Sequence, residues 1–298
     1  MHPIRLTVLG STNMDLVAYA PKAPAVGETV AGRAFRTVPG GKGANQAVAA
    51  ARAGGDVTII GAVGTDDFGP RLRTALEHSG VGTDFLRSAE GPSGTAHIVV
   101  DDRGGNSIVV VPGANDLVTG LTPGDEAVIT GAYALLLQFE LPLSAVTAGA
   151  LAARRHGVRT ILTPAPAGPM PAELLAATDL LVPNEHEAAA LTGLHDPLLA
   201  ARTLLDHVPE VVVTLGAAGS AYVARSAPDP VFVPAVPARP VDTTAAGDTF
   251  VGALAVALGE GRPMPDAMAW ASAAAALSVQ RHGASTSMPY RKEIDGAV

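Results

Sequence analysis

The chain has 298 residues, 48 % of them apolar and 16 % charged, enough to bury a core without a disulfide or metal staple. It contains no cysteine, which excludes thiolate catalysis, cysteine-based zinc sites and disulfide scaffolds. With 28 acidic against 20 basic residues the net charge is −8, which argues against nucleic acid or a membrane surface as partner, though not against a phosphorylated ligand.

The opening Met1–Gly10 has one basic residue and a short apolar run that meets Gly10, which reads as a first strand over Arg5–Gly10 and not as a signal peptide. No uninterrupted apolar run reaches the about 18 residues of a membrane span, so a cytoplasmic enzyme is expected. A helix is predicted over Gly43–Ala53, where Ala44, Ala47, Ala50 and Ala51 allow close packing, then a strand over Val57–Val63 and a helix over Phe68–Ser79. Strand Tyr133–Phe139, helix Ser144–His156, strands Val158–Leu162 and Leu180–Val182, helix Glu185–Thr192 and strand Val211–Leu215 follow. Helices Thr249–Leu258 and Asp266–Gln280 close the series. Alternation of this kind implies βαβ crossovers and an α/β fold, a mainly parallel sheet with helices on both faces. Two stretches, Leu16–Arg36 and Thr95–Val111, carry strand-like residues with Gly/Pro punctuation and no helix, the second with a hairpin around Asp101–Asn106. They predict a small β-sheet lid inserted into a single α/β unit spanning 1–298. Pro228–Pro240, with five prolines, is an edge strand at most.

The segment richest in chemistry is Val241-Asp-Thr-Thr-Ala-Ala-Gly-Asp-Thr-Phe250. Small residues leading into an apolar helix predict bare N–H groups of Ala245, Ala246 and Gly247 at a helix N-terminus, a site for anions. Asp248 on the same terminus either caps the helix or serves as a base beside that anion hole, as phosphoryl transfer to an alcohol requires. Near the other end, Pro39-Gly-Gly-Lys-Gly-Ala-Asn-Gln-Ala-Val-Ala-Ala50 lacks the spacer and the Ser/Thr of a P-loop. It reads as a glycine turn that lets a ligand approach the backbone, or as a plain Gly-rich helix start. Gly10-Ser-Thr-Asn-Met-Asp15 does not supply the G-x-G-x-x-G of a dinucleotide-dependent oxidoreductase.

These two motifs, with Gly10–Asp15, Leu137–Glu140 and Pro183–Glu187 in order between and beside them, resemble the ribokinase-like (PfkB) carbohydrate kinases over nearly the whole chain. The resemblance is greatest to the members that act on D-ribose. It implies ATP-dependent transfer to the 5-hydroxyl, with Asp248 as base and Ala245, Ala246 and Gly247 as anion hole. It places the sugar on Asn13, Asp15, Gly41, Lys42, Asn45, Glu140 and Asp248. It places ATP on Asn184, Thr214, Gly216, Gly219, Gly247 and Ser272, with Mg²⁺ held through water by Glu187. Asn184 and Glu187 also fit a helix capping box. A K⁺ site formed by Asp242, Thr244, Ser278, Arg281, Gly283 and Ser287, mostly through backbone oxygens, is implied in the same way, where residues alone suggest an ordinary helix C-cap. So is a homodimer paired through the lid, whose small sheet cannot bury both faces by itself.

Ala245 stands where the family most often has Gly; the backbone donor is kept. Acceptor identity rests on loops and lid strands, so deoxyribose, fructose or a nucleoside such as pseudouridine are alternative acceptors, and an inactive sugar-binding regulator is the alternative of another class. The 4 % aromatic content counts against a nucleoside, whose base wants an aromatic platform.

Overall fold

A computed structural model describes residues 3–103 and 105–298. Met1, His2 and Gly104, the last within the predicted hairpin turn, lie outside the described residues. The strands run β1 (Arg5–Leu9), β2 (Asn13–Tyr19), β3 (Ala34–Gly40), β4 (Asp56–Gly64), β5 (Val81–Gly82), β6 (Leu86–Ala89) and β7 (Gly94–Val100). They continue with β8 (Asn106–Val111), β9 (Ala134–Leu137), β10 (Arg159–Leu162), β11 (Leu180–Leu181), β12 (Glu210–Thr214), β13 (Ser220–Ala224) and β14 (Ala227–Val233). The helices are α1 (Lys42–Arg52), α2 (Phe68–His78), α3 (Pro123–Thr130), α4 (Leu143–Arg155), α5 (Ala172–Ala176), α6 (Glu185–Thr192), α7 (Pro197–Leu204), α8 (Ala246–Gly259), α9 (Met264–Ser278) and α10 (Arg291–Asp295).

The main sheet has the order β14-β13-β12-β11-β10-β9-β1-β4-β5, with β6 also on β4. It is parallel from β12 to β5 and antiparallel over β12-β13-β14. Alternation divides each central strand between two cores. Leu6 and Val8 of β1 join the layer of α1, α2, α8 and α9, whereas Leu9 joins that of α3 to α7. β14 is the sheet edge, as Pro230 requires.

The second sheet has the order β3-β2-β7-β8, with β2 antiparallel to β3 and parallel to β7. Its strands begin earlier and end later than expected, β2 at Asn13 and β3 at Gly40, while residues 20–33 form no strand. The pairing Asn13↔Gly40 carries the ladder down to the main sheet, so Asn13 and Asp15 sit on a lid strand. Helix α8 begins at Ala246, before the expected Thr249, which brings Gly247 and Asp248 into its first turn.

Candidate active site

The C-terminal edge of the parallel strands, where open α/β sheets bind ligands, gathers most of the predicted site residues. Three residues join β1 to β2, so the lid leaves the body directly beside Glu140, which follows β9. Gly41, with φ of +93°, turns the chain from β3 into α1. A Cβ at Gly40 would stand 2.3 Å from Asp15 Oδ2 and push that carboxylate out of the site.

Glu140 Oε2 accepts hydrogen bonds from Ser11 Oγ at 2.5 Å and Lys42 N at 2.9 Å, and lies 3.5 Å from Asn13 Nδ2. The first turn of α1 thus closes on a carboxylate, which suits the positive end of its dipole. Asn13 Oδ1 accepts from Asn115 Nδ2 at 2.7 Å, and Asn115 also accepts Thr12 N–H at 2.9 Å. Asn13, Asp15 and Asn45 are buried, and Asn45 Oδ1 has no hydrogen-bond partner in its buried position. A buried acceptor without a protein partner is a position at which a donor from outside the chain can bind.

Asp248 is also buried, at the head of a helix packed on nearly every side. Its Oδ2 accepts from Asn45 Nδ2 at 3.3 Å and its Oδ1 from Gln46 Nε2 at 3.1 Å. Burial pushes its carboxyl up to about 6, against the opposing pull of the Lys42 ammonium and the Gln46 amide. Asp15 is pushed to about 7 by burial, and then by the neighbouring charges of Glu140 and Asp248. Burial pulls the Lys42 ammonium down, but Asp248, Glu140, Glu187 and Asp15 together outweigh that and hold it above its ordinary value.

The N–H groups expected to form an anion hole differ from that expectation in one donor. Ala245 has φ of +59°, the left-handed conformation that a Gly would adopt freely. The turn it makes directs Ala246 N–H onto Thr243 O at 3.3 Å, so that N–H is not bare. Among the described residues the N–H groups of Ala245, Gly247 and Asp248 have no acceptor, and Asp248 supplies the donor expected of Ala246.

Among the residues expected to receive the nucleotide, Thr214 ends β12 and pairs with Asn184, which follows β11. Asn184 and Glu187 form the capping box: Glu187 N donates to Asn184 Oδ1 at 2.8 Å, and Asn184 N to Glu187 Oε2 at 2.9 Å. Burial raises the Glu187 carboxyl above its usual range. Gly216 (φ +55°) and Gly219 (φ +102°) shape the turn after β12, where Leu215 N bonds Gly219 O at 2.8 Å. Ser272 stands apart from these, buried on α9 without a hydrogen bond to either segment.

The two loops predicted to hold K⁺ are in contact. Asp242 accepts Thr244 N–H and Gly283 N–H, each at 2.9 Å, and these bonds hold it below its usual range although burial works upward. The carbonyls at the end of α9 are less free than a bare helix terminus would leave them. Val279 O takes the N–H groups of Val241 and Asp242, and Ser278 O takes that of Arg281, whose guanidinium pairs with Glu293. Ser287 donates its hydroxyl to Ala284 O at 2.8 Å.

Sequence reasoning missed Ser11, Gln46, Asn115 and Gln138. Gln46 lies inside the quoted glycine motif, but its partners are far away in the chain and no local pattern marks them. Asn115 has no cue beyond the turn residues around it.

A mixed lid over a parallel α/β sheet, with a buried carboxylate beside bare helix N–H groups and a cluster of buried polar side chains, is the arrangement of a small-molecule kinase. The chain belongs to the pfkB family carbohydrate kinases, whose family model matches residues 4–291. It is 43 % identical to the ribokinase of Bacillus subtilis over 97 % of this chain and 98 % of that protein. It is 39 % identical to the ribokinase of Schizosaccharomyces pombe over 99 % and 98 %. The structure of Arabidopsis thaliana ribokinase complexed with ribose and ATP superimposes with a TM-score of 0.92 at 36 % identity, covering 100 % of this chain and 99 % of that one.

Proposed function

We propose that the protein transfers the γ-phosphoryl group of ATP to the 5-hydroxyl of D-ribose, giving ribose 5-phosphate and ADP. The observation that carries this reading is the buried Asp248 carboxylate, held by Asn45 and Gln46 directly beside the open N–H groups of Gly247 and Asp248. Asn13, Asp15, Gly41, Lys42, Asn45 and Glu140 receive the sugar, its hydroxyls donating to the carboxylates and accepting from the amides. Asp248 takes the proton of the acceptor hydroxyl as the new O–P bond forms and the bond from phosphorus to the ADP oxygen breaks. The helix N–H groups stabilise charge on the transferring group. The lid, read as an insertion in one kinase unit, excludes water.

Asn184, Thr214, Gly216, Gly219, Gly247 and Ser272 receive the nucleotide. Among the described residues there is no cluster of three or more His, Asp or Glu side chains to cage a metal. The donor set fits Mg²⁺ bound mainly by phosphate and water, with Glu187 holding it through one of those waters. When bound, Mg²⁺ neutralises phosphate charge. We place K⁺ between the Asp242–Thr244 and Ser278–Ser287 loops, a second copy of the chain over the lid, and the reaction in the cytoplasm.

A panel of acceptors (ribose, deoxyribose, fructose, adenosine, pseudouridine) assayed for ADP formation tests the substrate. Ribose should be turned over with the highest kcat/KM; no turnover of any would favour a sugar-binding regulator. Asp248→Asn should lower kcat by about 10²–10⁴ while ribose still binds. A near-normal kcat removes Asp248 from its role.

A further inference from the structure

The two amides that hold Asp248 are secured differently. Asn45 keeps an unpartnered oxygen for a ligand, whereas every polar atom of the Gln46 side chain is engaged inside the protein. Gln46 Nε2 donates to Asp248 Oδ1 at 3.1 Å and to Thr163 Oγ1 at 3.2 Å, and its Oε1 accepts from Gln138 Nε2 at 2.6 Å. Both glutamines are fully buried.

An amide has one donor end and one acceptor end, so this chain runs in one direction. Were Gln46 turned over, its oxygen would face the Asp248 carboxylate and two NH₂ groups would meet at the Gln138 contact. Gln138 follows β9 and Thr163 follows β10, so the base on α8 is referenced through α1 to the strand edge that also carries Glu140. We infer that Gln46 is a positioning residue for Asp248, itself oriented by Gln138, and that this relay prevents the carboxylate from rotating away from the acceptor hydroxyl. The inference rests on the reading of Asp248 as base. The charged groups facing Asp248 are Lys42 from α1, Glu140 beyond β9 and Asp15 from β2.

The test uses the full chain with saturating Mg-ATP and four variants: Gln46→Met, Gln46→Glu, Gln138→Met and Asp248→Asn. Gln46→Met should lower kcat about 10- to 100-fold, with KM for ribose and ATP within about threefold of the parent. Its acid limb in kcat/KM should move up by about one pH unit, because the carboxylate loses a donor. Gln46→Glu can donate only while protonated, so activity should be partly rescued at low pH and fall as pH rises, an alkaline limb the parent lacks. Gln138→Met should show the same acid-limb shift with a smaller loss of kcat. Thermal melting checks folding; if Gln46→Met does not fold, Gln138→Met and Gln46→Glu carry the test. A parental pH profile and kcat in Gln46→Met or Gln138→Met, with Asp248→Asn inactive, overturns the relay and leaves the base reading intact. So does a change confined to ribose KM. A near-normal kcat in Asp248→Asn overturns the base reading itself.

Discussion

Gly252→Ala places a single methyl group away from the chemistry and should reach it through the spacing of two helices. Gly252 stands one turn after Asp248 on α8, on the same face. A Cβ there would lie 2.7 Å from Ala49 Cβ, 2.7 Å from Gln46 O and 2.8 Å from Ala50 N, all on α1. Two of those three atoms are backbone and cannot swing aside. Ordinary contact begins at 3.4 Å, so α1 and α8 must part by about 0.7 Å at this point. The bonds from Asn45 and Gln46 to Asp248 are 3.3 and 3.1 Å long, and most of that displacement takes both beyond hydrogen-bond reach. Overpacking costs about 1–3 kcal/mol, and replacing glycine within a helix returns about 1 kcal/mol, so the net loss of stability is about 0–2 kcal/mol and the protein stays folded. A displacement near 1 Å in a reacting constellation costs about 10²-fold, so kcat should fall about 10- to 100-fold. A coupled assay for ADP, run beside urea unfolding, measures both. Gly131→Ala is the control, since its nearest neighbour would be 3.6 Å away. If Gly252→Ala keeps kcat within about twofold of the parent, the spacing of α1 and α8 does not set the geometry of the base.

The raised carboxyls of Asp15 (about 7) and Asp248 (about 6) favour their neutral forms in the fold. Their contribution to stability is complete below the ordinary carboxylate range and is lost as pH rises through about 6 to 7. Asp15→Asn should therefore gain melting temperature relative to the parent between pH 5 and 8; parallel curves would contradict the burial argument. Because transfer needs the ionised base, kcat/KM should also decline below pH 6, and a flat profile to pH 4.5 would count against Asp248. KCl titrated into a K⁺-free assay, with choline chloride holding ionic strength, should raise the rate if one cation braces both loops at the anion hole; no response removes the K⁺ site. The lid exposes Phe35, Ile108, Val109, Val110 and Val111, with β8 as a sheet edge, so sedimentation at micromolar concentration should give a dimer. A concentration-independent monomer would contradict it.

The main sheet could be read from its strands because buried parallel strands are nearly continuous apolar runs, as in Ala134–Leu137 and Val211–Val213. Helix ends were less certain. Gly247 and Asp248 are weak helix formers, and the packing of α8 against α1 and α9 helps carry the helix back to Ala246. The lid was visible as strands that could not join a βαβ rhythm, but its root at Asn13 was hidden: polar residues there look like a turn until β3 is paired opposite. The residues proposed for the site lie mostly in short motifs, but Ala246, expected there as a free donor, bonds Thr243 O instead. Ser11, Gln138 and Asn115 act through partners roughly a hundred positions away, and spacing along the chain contains no trace of such pairs.

Asp15, Glu140 and Asp248 are electrostatic neighbours, and on the proposed function they share their site with the polyphosphate of ATP; the fold answers that repulsion with backbone and one side chain. The N-terminus of α1 meets Glu140 through Lys42 N, and the N-terminus of α8 leaves the donors of Gly247 and Asp248 open. Both helices thus turn their positive ends toward the same volume. Lys42 adds a full positive charge that Asp15, Glu140, Asp248 and Glu187 all feel, so on the proposed function its field joins the sugar residues to the nucleotide residues. Before a sugar arrives, burial favours the proton on Asp15; hydroxyl donors from the sugar favour the carboxylate instead. If the sugar binds there as proposed, it should ionise Asp15 and strengthen the hold of these carboxylates on Lys42.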